Sequence, residues 1–187
     1  YHSKELSALI KGSYNFAMNK EIYNLAQQLG DALLHNKATV TTAESCTGGG
    51  VATAITEIAG SSQWFSRGFI TYANQAKHEM LNVPEELLSA HGAVCEAVVR
   101  AMVAGAAQEA GSDYAIAISG IAGPDGGTEA KPVGTVWFAW FSPQGISTQE
   151  YRFMGDRIAV RQQAVKIAIE ELLHKITGCN TVQPYSY

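Results

Sequence analysis

The stretch TTAESCTGGG, residues 41–50, joins a strand-like run to three glycines. Residues 38–43 are typical of a short buried strand, and VATAITEIAG, residues 51–60, repeats apolar residues at helical spacing. The polar residues between them therefore lie at a strand-to-helix turn. Glycine permits tight turns, and the free N–H groups at the start of a helix attract anions and developing negative charge. We expect a functional site at this turn.

Strand-like and helical segments alternate along the rest of the chain. Helical periodicity predicts amphipathic helices over 22–34, 75–83, about 94–110 and after Asp156, with Asn74 and Asp156 as N-caps. Strand-like runs occupy 67–73, 114–119, 133–141 and 146–154. The turn SPQG between the last two fits an antiparallel hairpin, because parallel neighbours need a longer crossover. The pattern predicts an α/β fold, a three-layer α/β/α sandwich with a mixed, mostly parallel sheet.

The helix over about 94–110 shows how a buried face is inferred from spacing. Its apolar positions recur every three or four residues, and the predicted inward residues are Val94, Ala97, Val98, Ala101 and Met102.

One domain over residues 18–177 is expected, since 187 residues with 47% hydrophobic content can bury one sizeable core. Met18 and the helical pattern after it look like a native start. We interpret residues 1–17 as an expression-derived or flexible segment and residues 178–187 as a flexible tail.

Composition narrows the class of partner and the compartment. The formal charge is −4 and no run of Lys or Arg forms a basic patch, so nucleic acid is not an expected partner. No apolar run reaches the ~18 to 20 residues of a membrane span, so no membrane association is expected. Three cysteines without CxxC spacing fit neither a disulfide framework nor a zinc site and indicate a reducing cytoplasm.

Ser45 is the first candidate for chemistry. Ligands in α/β sandwiches bind beyond the carboxyl ends of the strands, where the segments 44–50, 72–77 and 119–132 are predicted to meet. A serine hydroxyl needs a base to become a nucleophile, and amides at the turn, those of Thr47, Gly48 and Gly49, are expected to hold an oxyanion.

Lys77 and Tyr72 are the candidate bases, because no histidine in the sequence has an obvious acidic partner. Tyr72 lies at a predicted strand end and Lys77 in the first turn of the following helix, where the helix dipole disfavours the charged amine. From the residues alone, a solvated Lys77 and a packed Tyr72 fit equally well.

Two further features stay open at this level. Cys46 is a rival nucleophile, because helix starts lower thiol pKa values, and only one of Ser45 and Cys46 is expected to face the cleft. The loop GIAGPDGGTEAKP, residues 120–132, suits phosphate binding through its amides, with charge from Lys131 or Arg157, but it also fits a plain connection.

Six ordered motifs resemble the CinA C-terminal domain family over roughly residues 20–175. They are AESCTGG at 43–49, GFITYANQAKHEMLNV at 68–83, HGAV at 91–94, SGIAGPDGG at 119–127, KPVGTVWFA at 131–139 and GDR at 155–157. The resemblance implies an α/β/α fold, no metal or organic cofactor, and hydrolysis of the carboxamide of nicotinamide mononucleotide, the activity of stand-alone bacterial members.

Matched residue by residue, the resemblance assigns the serine nucleophile to Ser45, the active-site tyrosine to Tyr72 and the lysine to Lys77. Ser119 stands where the family commonly has threonine, which keeps the hydroxyl. The residues expected to bind the oxyanion or substrate are Glu44, Thr47, Gly48, Gly49, Ser119, Gly120, Gly123, Lys131 and Arg157. The expected partner is a small-molecule nucleotide, and a homodimer is expected for a small α/β domain.

Two other functions remain open from the sequence. One is an amidase that acts on another small amide, with Ser45 or Cys46 as nucleophile. The other is a nucleotide-binding or regulatory module without turnover, which would not need an activated serine.

Overall fold

The computed structural model describes residues 19–178, so the predictions for residues 1–17, Met18 and 179–187 fall outside the described part. The described chain contains one five-stranded sheet in the order β2-β1-β3-β4-β5. The strands are β1 Val40–Glu44, β2 Phe65–Ile70, β3 Tyr114–Gly120, β4 Thr135–Ser142 and β5 Gly145–Arg152. β1 pairs in parallel with β2 and β3, whereas β3 with β4 and β4 with β5 are antiparallel. The mixed sheet and the terminal hairpin are confirmed.

Helices cover both faces of the sheet, which confirms the three-layer α/β/α sandwich. They are α1 Lys20–His35, α2 Gly50–Thr56, α3 Asn74–Leu81, α4 Glu85–His91, α5 Glu96–Ala110 and α6 Arg157–Thr177. α1, α2 and α6 share one apolar core with the sheet, and α3, α4 and α5 share the other. Among residues 19–178, no helix has the length and apolar character that a membrane span requires.

The strand β3 supplies both cores by alternation. Ile116 and Ile118 belong to the core under α1, α2 and α6, and Ala115 and Ala117 to the core under α5. Successive side chains of a strand point to opposite faces, so small residues on one face let α5 approach the sheet closely. Asp156 caps α6 as predicted, because its carboxylate accepts a hydrogen bond from the Ala159 amide at 2.9 Å.

Several predicted boundaries are wrong by two or three residues. β1 starts at Val40 and includes Glu44, and β2 ends at Ile70, so residues 71–73 already belong to the loop. Asn74 is the first residue of α3 and does not cap it; Ala73 holds the cap position in an extended conformation without a side-chain hydrogen bond. The short helix α4 after Pro84 was not predicted, because seven residues carry too little periodicity.

The buried face of α5 also differs from the predicted one. The helix starts at Glu96, because Cys95 is extended at the cap position. Its buried residues are Val98, Val99, Met102, Val103, Gly105, Ala106 and Ala107, while Val94 and Ala101 are half-buried and Ala97 is exposed. Val98 and Met102 were predicted correctly. The stripe is rotated because small residues near the end of α5 pack directly against α3.

Candidate active site

A row of three hydroxyl residues crosses the carboxyl edge of the parallel strands. Glu44 is in register with Ile70 on β2 and with Ile118 on β3. The Thr71 amide donates to the Glu44 carbonyl at 2.8 Å, and the Ser45 amide donates to the Ile118 carbonyl at 3.0 Å. The residues one step further on, Thr71, Ser45 and Ser119, are therefore neighbours across three strands.

Each of these three residues lies two positions beyond a strand residue of the core under α5, namely Phe69, Ala43 and Ala117, so their side chains lie on that face of the sheet. The hydroxyls of Thr71 and Ser119 are buried and have no hydrogen-bond partner in the described chain. Ser119 is only 1% exposed. A buried hydroxyl without a partner costs free energy, so both groups are available to a ligand or a reacting atom.

Lys77 approaches this row from α3. Its ammonium nitrogen Nζ lies 3.0 Å from Ser45 Oγ and donates to the Thr71 carbonyl at 2.7 Å and the Tyr72 carbonyl at 3.4 Å. Lys77 is 0% exposed and forms no ion pair in the described chain. The hydroxyl and the amine are therefore in direct hydrogen-bond contact.

Burial changes the protonation of Lys77. Loss of hydration lowers the pKa of the Lys77 amine from 10.5 to about 8, and the nearby Cys46 opposes this only in part. A charged amine is costly in a site that offers carbonyl oxygens and no carboxylate. A substantial fraction of Lys77 is therefore neutral near pH 8, and a neutral amine can accept the proton of Ser45.

Cys46 lies next to Ser45 but is not activated. Burial raises the pKa of the Cys46 thiol from 9.0 to about 11, mainly by desolvation. The side chain belongs to the core under α1, α2 and α6, on the sheet face opposite Lys77. A thiol that stays protonated and packed in the core is a poor nucleophile, so the geometry favours Ser45.

Glu44 holds the turn that carries Ser45. Its carboxylate is fully buried and accepts hydrogen bonds from the amides of Gly49 at 3.1 Å, Val51 at 3.0 Å and Ala52 at 2.8 Å. Side-chain oxygens at a helix start satisfy amides that have no partner within the helix. Glu44 therefore caps α2 and closes the turn between β1 and α2.

This cap leaves fewer oxyanion donors than the sequence predicted. The Gly49 amide is engaged by Glu44, and the Gly48 amide donates to the Ser45 carbonyl at 3.0 Å. The amides of Cys46 and Thr47 have no carbonyl or carboxylate acceptor within residues 19–178. Of the three predicted donors, only the Thr47 amide is free.

Tyr72 does not have the position that a proton relay between Lys77 and Ser45 would need. Its side chain is 59% exposed, and its hydroxyl accepts a hydrogen bond from Arg157 Nη2 at 2.9 Å. Arg157 also donates through Nη1 to the Gly123 carbonyl at 2.9 Å. Lys77 reaches Ser45 directly, and Tyr72, Arg157 and Gly123 form a linked group at the edge of the cleft.

The glycine-rich loop brings only some of its predicted residues toward this group. Gly120 ends β3 next to Ser119, and Gly123 contacts Arg157. Lys131 does not bond to this group. Its ammonium donates a hydrogen bond to the His91 carbonyl at 2.8 Å. Lys131 and Arg157 therefore have separate partners.

Two residues near the turn were missed by sequence reasoning. Thr71 supplies the closest carbonyl to Lys77, and Arg161 Nη2 donates to the Thr47 carbonyl at 2.8 Å. Thr71 could have been found from the sequence as the polar residue that directly follows the strand FSRGFI. Arg161 follows Arg157 by one helical turn and so shares its side of α6, which gave a signal for Arg161.

Known proteins resemble this chain over most of its length. The model of the CinA C-terminal domain family matches residues 22–176. The nicotinamide-nucleotide amidohydrolase PncC of Escherichia coli K12 is 57% identical over 155 residues, which are 82% of this chain and 94% of the relative. The protein of the same name from Pseudomonas putida is 53% identical over 152 residues, 81% of this chain and 95% of the relative.

A solved structure has the same fold. The crystal structure of a competence-damaged protein (CinA) superfamily protein from Klebsiella pneumoniae 700603 superposes with a TM-score of 0.81 at 43% sequence identity. The match covers 84% of this chain and 99% of that one.

Proposed function

Because the chain belongs to the CinA C-terminal domain family, we propose that it hydrolyses the carboxamide of nicotinamide mononucleotide to nicotinate mononucleotide and ammonia, a reaction that recycles pyridine nucleotides. The observation that carries the proposal is the 3.0 Å contact between Lys77 Nζ and Ser45 Oγ in a site without a carboxylate partner for Lys77. Relatives that bear the name of this activity are 51–58% identical to the chain.

In the acylation step, neutral Lys77 takes the proton from the Ser45 hydroxyl while Ser45 Oγ attacks the amide carbon. The carbonyl oxygen becomes an oxyanion, for which the available donors are the Thr47 amide, which has no acceptor in the described chain, and the Cys46 amide, which contacts only its own thiol. Protonated Lys77 then returns the proton to the leaving nitrogen. Ammonia departs and an ester of Ser45 remains.

Water completes the cycle by attacking that ester. Lys77, neutral again, accepts a proton from the water and gives it back to Ser45 Oγ as the ester bond breaks. The product is the carboxylate of nicotinate mononucleotide. The same pair of residues therefore serves both half-reactions.

Ser119 and Tyr72 are proposed to contact the substrate. The Ser119 hydroxyl, buried beside Ser45 without a partner, suits a hydrogen bond to the carboxamide. Tyr72 is exposed next to Arg157 and suits contact with the pyridine ring. Substitution of Ser119 and of Tyr72 tests these roles. The measured quantities are kcat, for turnover of the bound substrate, and the affinity for the substrate.

The deciding experiment measures ammonia release from nicotinamide mononucleotide by the purified protein, by Ser45→Ala and by Cys46→Ala. We expect turnover in the unmodified protein and in Cys46→Ala, and none in Ser45→Ala. Folding of each variant is checked by circular dichroism. Turnover that needs the thiol and survives loss of the hydroxyl would move the nucleophile to Cys46.

Absence of turnover in the folded, unmodified protein would contradict the proposal. A panel of other small amides then tests for a different substrate, and nucleotide binding without hydrolysis of any of them would support a binding or regulatory module. The cytoplasmic location, the absence of nucleic acid partners and the homodimer stay predictions from the sequence.

A further inference from the structure

A cavity of about 300 Å³ lies beside the Ser45 turn, on the sheet face of α1, α2 and α6. Thr47 and Gly48 of the turn line one side of it, and Arg161 of α6 lines another. Ile22, Ala54 and Val165 give it an apolar wall. Ser45 and Lys77 are not part of the lining, so the cavity adjoins the reacting groups and does not contain them.

Arg161 brings an unneutralised cation to this cavity. Its Nη2 is held by the Thr47 carbonyl at 2.8 Å, and its Nε is buried with no partner in the described chain. No carboxylate of residues 19–178 forms an ion pair with it. The guanidinium is therefore held at Nη2, and its buried Nε–H is left without an acceptor.

Thr47 brings a second unused polar group. It is 1% exposed, lines the cavity, and its hydroxyl has no partner in the part of the chain that the structure describes. Buried polar groups in folded proteins are normally hydrogen-bonded, so two lining residues that each keep a buried polar group without a partner point to a ligand with acceptor oxygens. Arginine is well suited to phosphate, because its planar donors match phosphate oxygens.

The remaining lining fits a phosphorylated sugar. Glu57 also lines the cavity, and a carboxylate accepts hydrogen bonds from hydroxyl groups but repels phosphate. The apolar wall can pack against a ribose ring. One cavity therefore offers a cation for a phosphate and a carboxylate for a diol.

Gly48 connects the cavity to Ser45. It is the exposed residue of the turn and has φ +58, a conformation that favours glycine. A Cβ atom there would lie 3.4 Å from Arg161 Nη2. The Gly48 amide donates to the Ser45 carbonyl at 3.0 Å, so bare backbone lies between the cavity and Ser45.

We propose that this cavity binds the 5′-phosphate and ribose of the substrate while the carboxamide lies at Ser45, and that Arg161 is the residue that selects the phosphorylated substrate. The inference rests on the proposed function. It differs from a phosphate site at the glycine loop, where Arg157 is already bonded to Tyr72 and Gly123.

The test compares nicotinamide mononucleotide with nicotinamide riboside, which has the same carboxamide but no phosphate. In Arg161→Gln the side-chain amide can still donate to the Thr47 carbonyl, while the charge is lost. We expect kcat/KM for the mononucleotide to fall about 10- to 100-fold, the size of a charge-assisted hydrogen bond, and kcat/KM for the riboside to stay within about twofold. Thr47→Val should also lower kcat/KM for the mononucleotide, but by a smaller factor, because this substitution removes only the hydroxyl.

Arg100→Gln is the matched control, since it removes one positive charge from the exposed side of α5. It should leave kcat/KM unchanged for both substrates. Loss of phosphate selectivity in Arg157→Gln, with Arg161→Gln unchanged, would overturn the inference and place the phosphate at the loop. Thermal unfolding of each variant separates a folding defect from a binding defect.

Isothermal titration of inorganic phosphate into the unmodified protein and Arg161→Gln separates this inference from the proposed function. Phosphate binding that Arg161→Gln abolishes, in a protein that does not hydrolyse the mononucleotide, would support the anion site and refute the amidase. Hydrolysis of the mononucleotide with unchanged selectivity in Arg161→Gln and Thr47→Val would refute the site and leave the amidase standing.

Discussion

In the proposed mechanism Lys77 acts as a base only when its amine is neutral, so the rate of the reaction should depend on pH. Its pKa is lowered to about 8 by burial, so below pH 8 the neutral fraction falls tenfold with each pH unit. We expect kcat/KM for nicotinamide mononucleotide to rise with pH, with a midpoint near 8, and then to level off. Initial rates of ammonia release between pH 6.5 and 9.5 measure this profile.

A variant tests whether Lys77 causes that profile. Lys77→Arg keeps a cation that does not lose its proton in this range, so we expect a loss of about 10²- to 10⁴-fold in kcat, the usual contribution of a general base. A profile of the unmodified enzyme that is flat from pH 6.5 to 9.5 would contradict the role of Lys77.

The sequence predicted the proximity of Ser45 and Lys77 better than it predicted their surroundings, and the catalytic roles of the two residues stay predictions. Ser45 at a strand-to-helix turn and Lys77 in the first turn of the helix that follows the next strand are visible as motifs. The engagement of the two glycine amides was not visible from the sequence, because the Gly49 amide is bonded by the Glu44 side chain folding back onto α2 and the Gly48 amide by the Ser45 carbonyl within the turn. The link from Tyr72 to Arg157 joins residues 85 positions apart, which no local pattern encodes.

At the scale of elements, the junction of β1 and α2 depends on Glu44. Glu44→Gln replaces an oxygen acceptor by an NH₂ group, so at least one of the amides of Gly49, Val51 and Ala52 loses its partner. We expect the free energy of unfolding to fall by about 1–3 kcal/mol and kcat to fall with it, because the turn carries Ser45. Urea unfolding and ammonia release measure the two effects.

Glu86→Gln is the control for that substitution, because Glu86 is an exposed residue at the start of α4. It should leave both quantities nearly unchanged. An equal effect of the two substitutions would show that the cap at Glu44 has no special role.

The contact between α3 and α5 is a second element-level feature. Gly105 faces the backbone of Leu81, and a Cβ at Gly105 would overlap the Leu81 carbonyl oxygen. In an exposed helix Gly→Ala stabilises by about 1 kcal/mol, but here the overlap forces α3 away and we expect a net loss of about 1–3 kcal/mol. Because α3 carries Lys77, kcat should fall as well.

Thermal unfolding and turnover of Gly105→Ala test this contact, with Ala104→Ser as control because Ala104 is the exposed neighbour on α5. A more stable Gly105→Ala with full activity would show that α3 can shift without cost. The sequence did not predict this packing, since spacing places residues on a face but does not say how near the next helix lies.

For the whole molecule, the burial of Lys77 links stability to pH. The folded pKa of about 8 is below the value of 10.5 in the unfolded chain, so between these values the unfolded state binds more protons. Stability contributed by this group therefore rises from about pH 8 to 10.5, by a total on the order of 3 kcal/mol, and the rise is absent below pH 8. Lys77→Met should lack it.

Urea unfolding of the unmodified protein and of Lys77→Met between pH 7 and 10.5 gives the difference in their free energies of unfolding. The titration of other groups cancels in this difference. Parallel curves for the two proteins would contradict the lowered pKa of Lys77.

The homodimer predicted from the sequence is also a property of the whole molecule. Ile70, Tyr72, Met154 and Ile158 are large apolar or aromatic side chains that remain exposed. Light scattering at several protein concentrations tests the prediction, and a mass near 20 kDa at all of them would contradict it.

The hydrogen bonds that assemble the site also bear on how the chain folds. They join residues 32, 85 and 114 positions apart, so they close only after three distant parts of the chain have come together. Long-range contacts form late, because the entropy of loop closure is lost before they form, whereas helices form within microseconds. During refolding from urea, recovery of amidase activity should therefore lag behind recovery of helical circular dichroism.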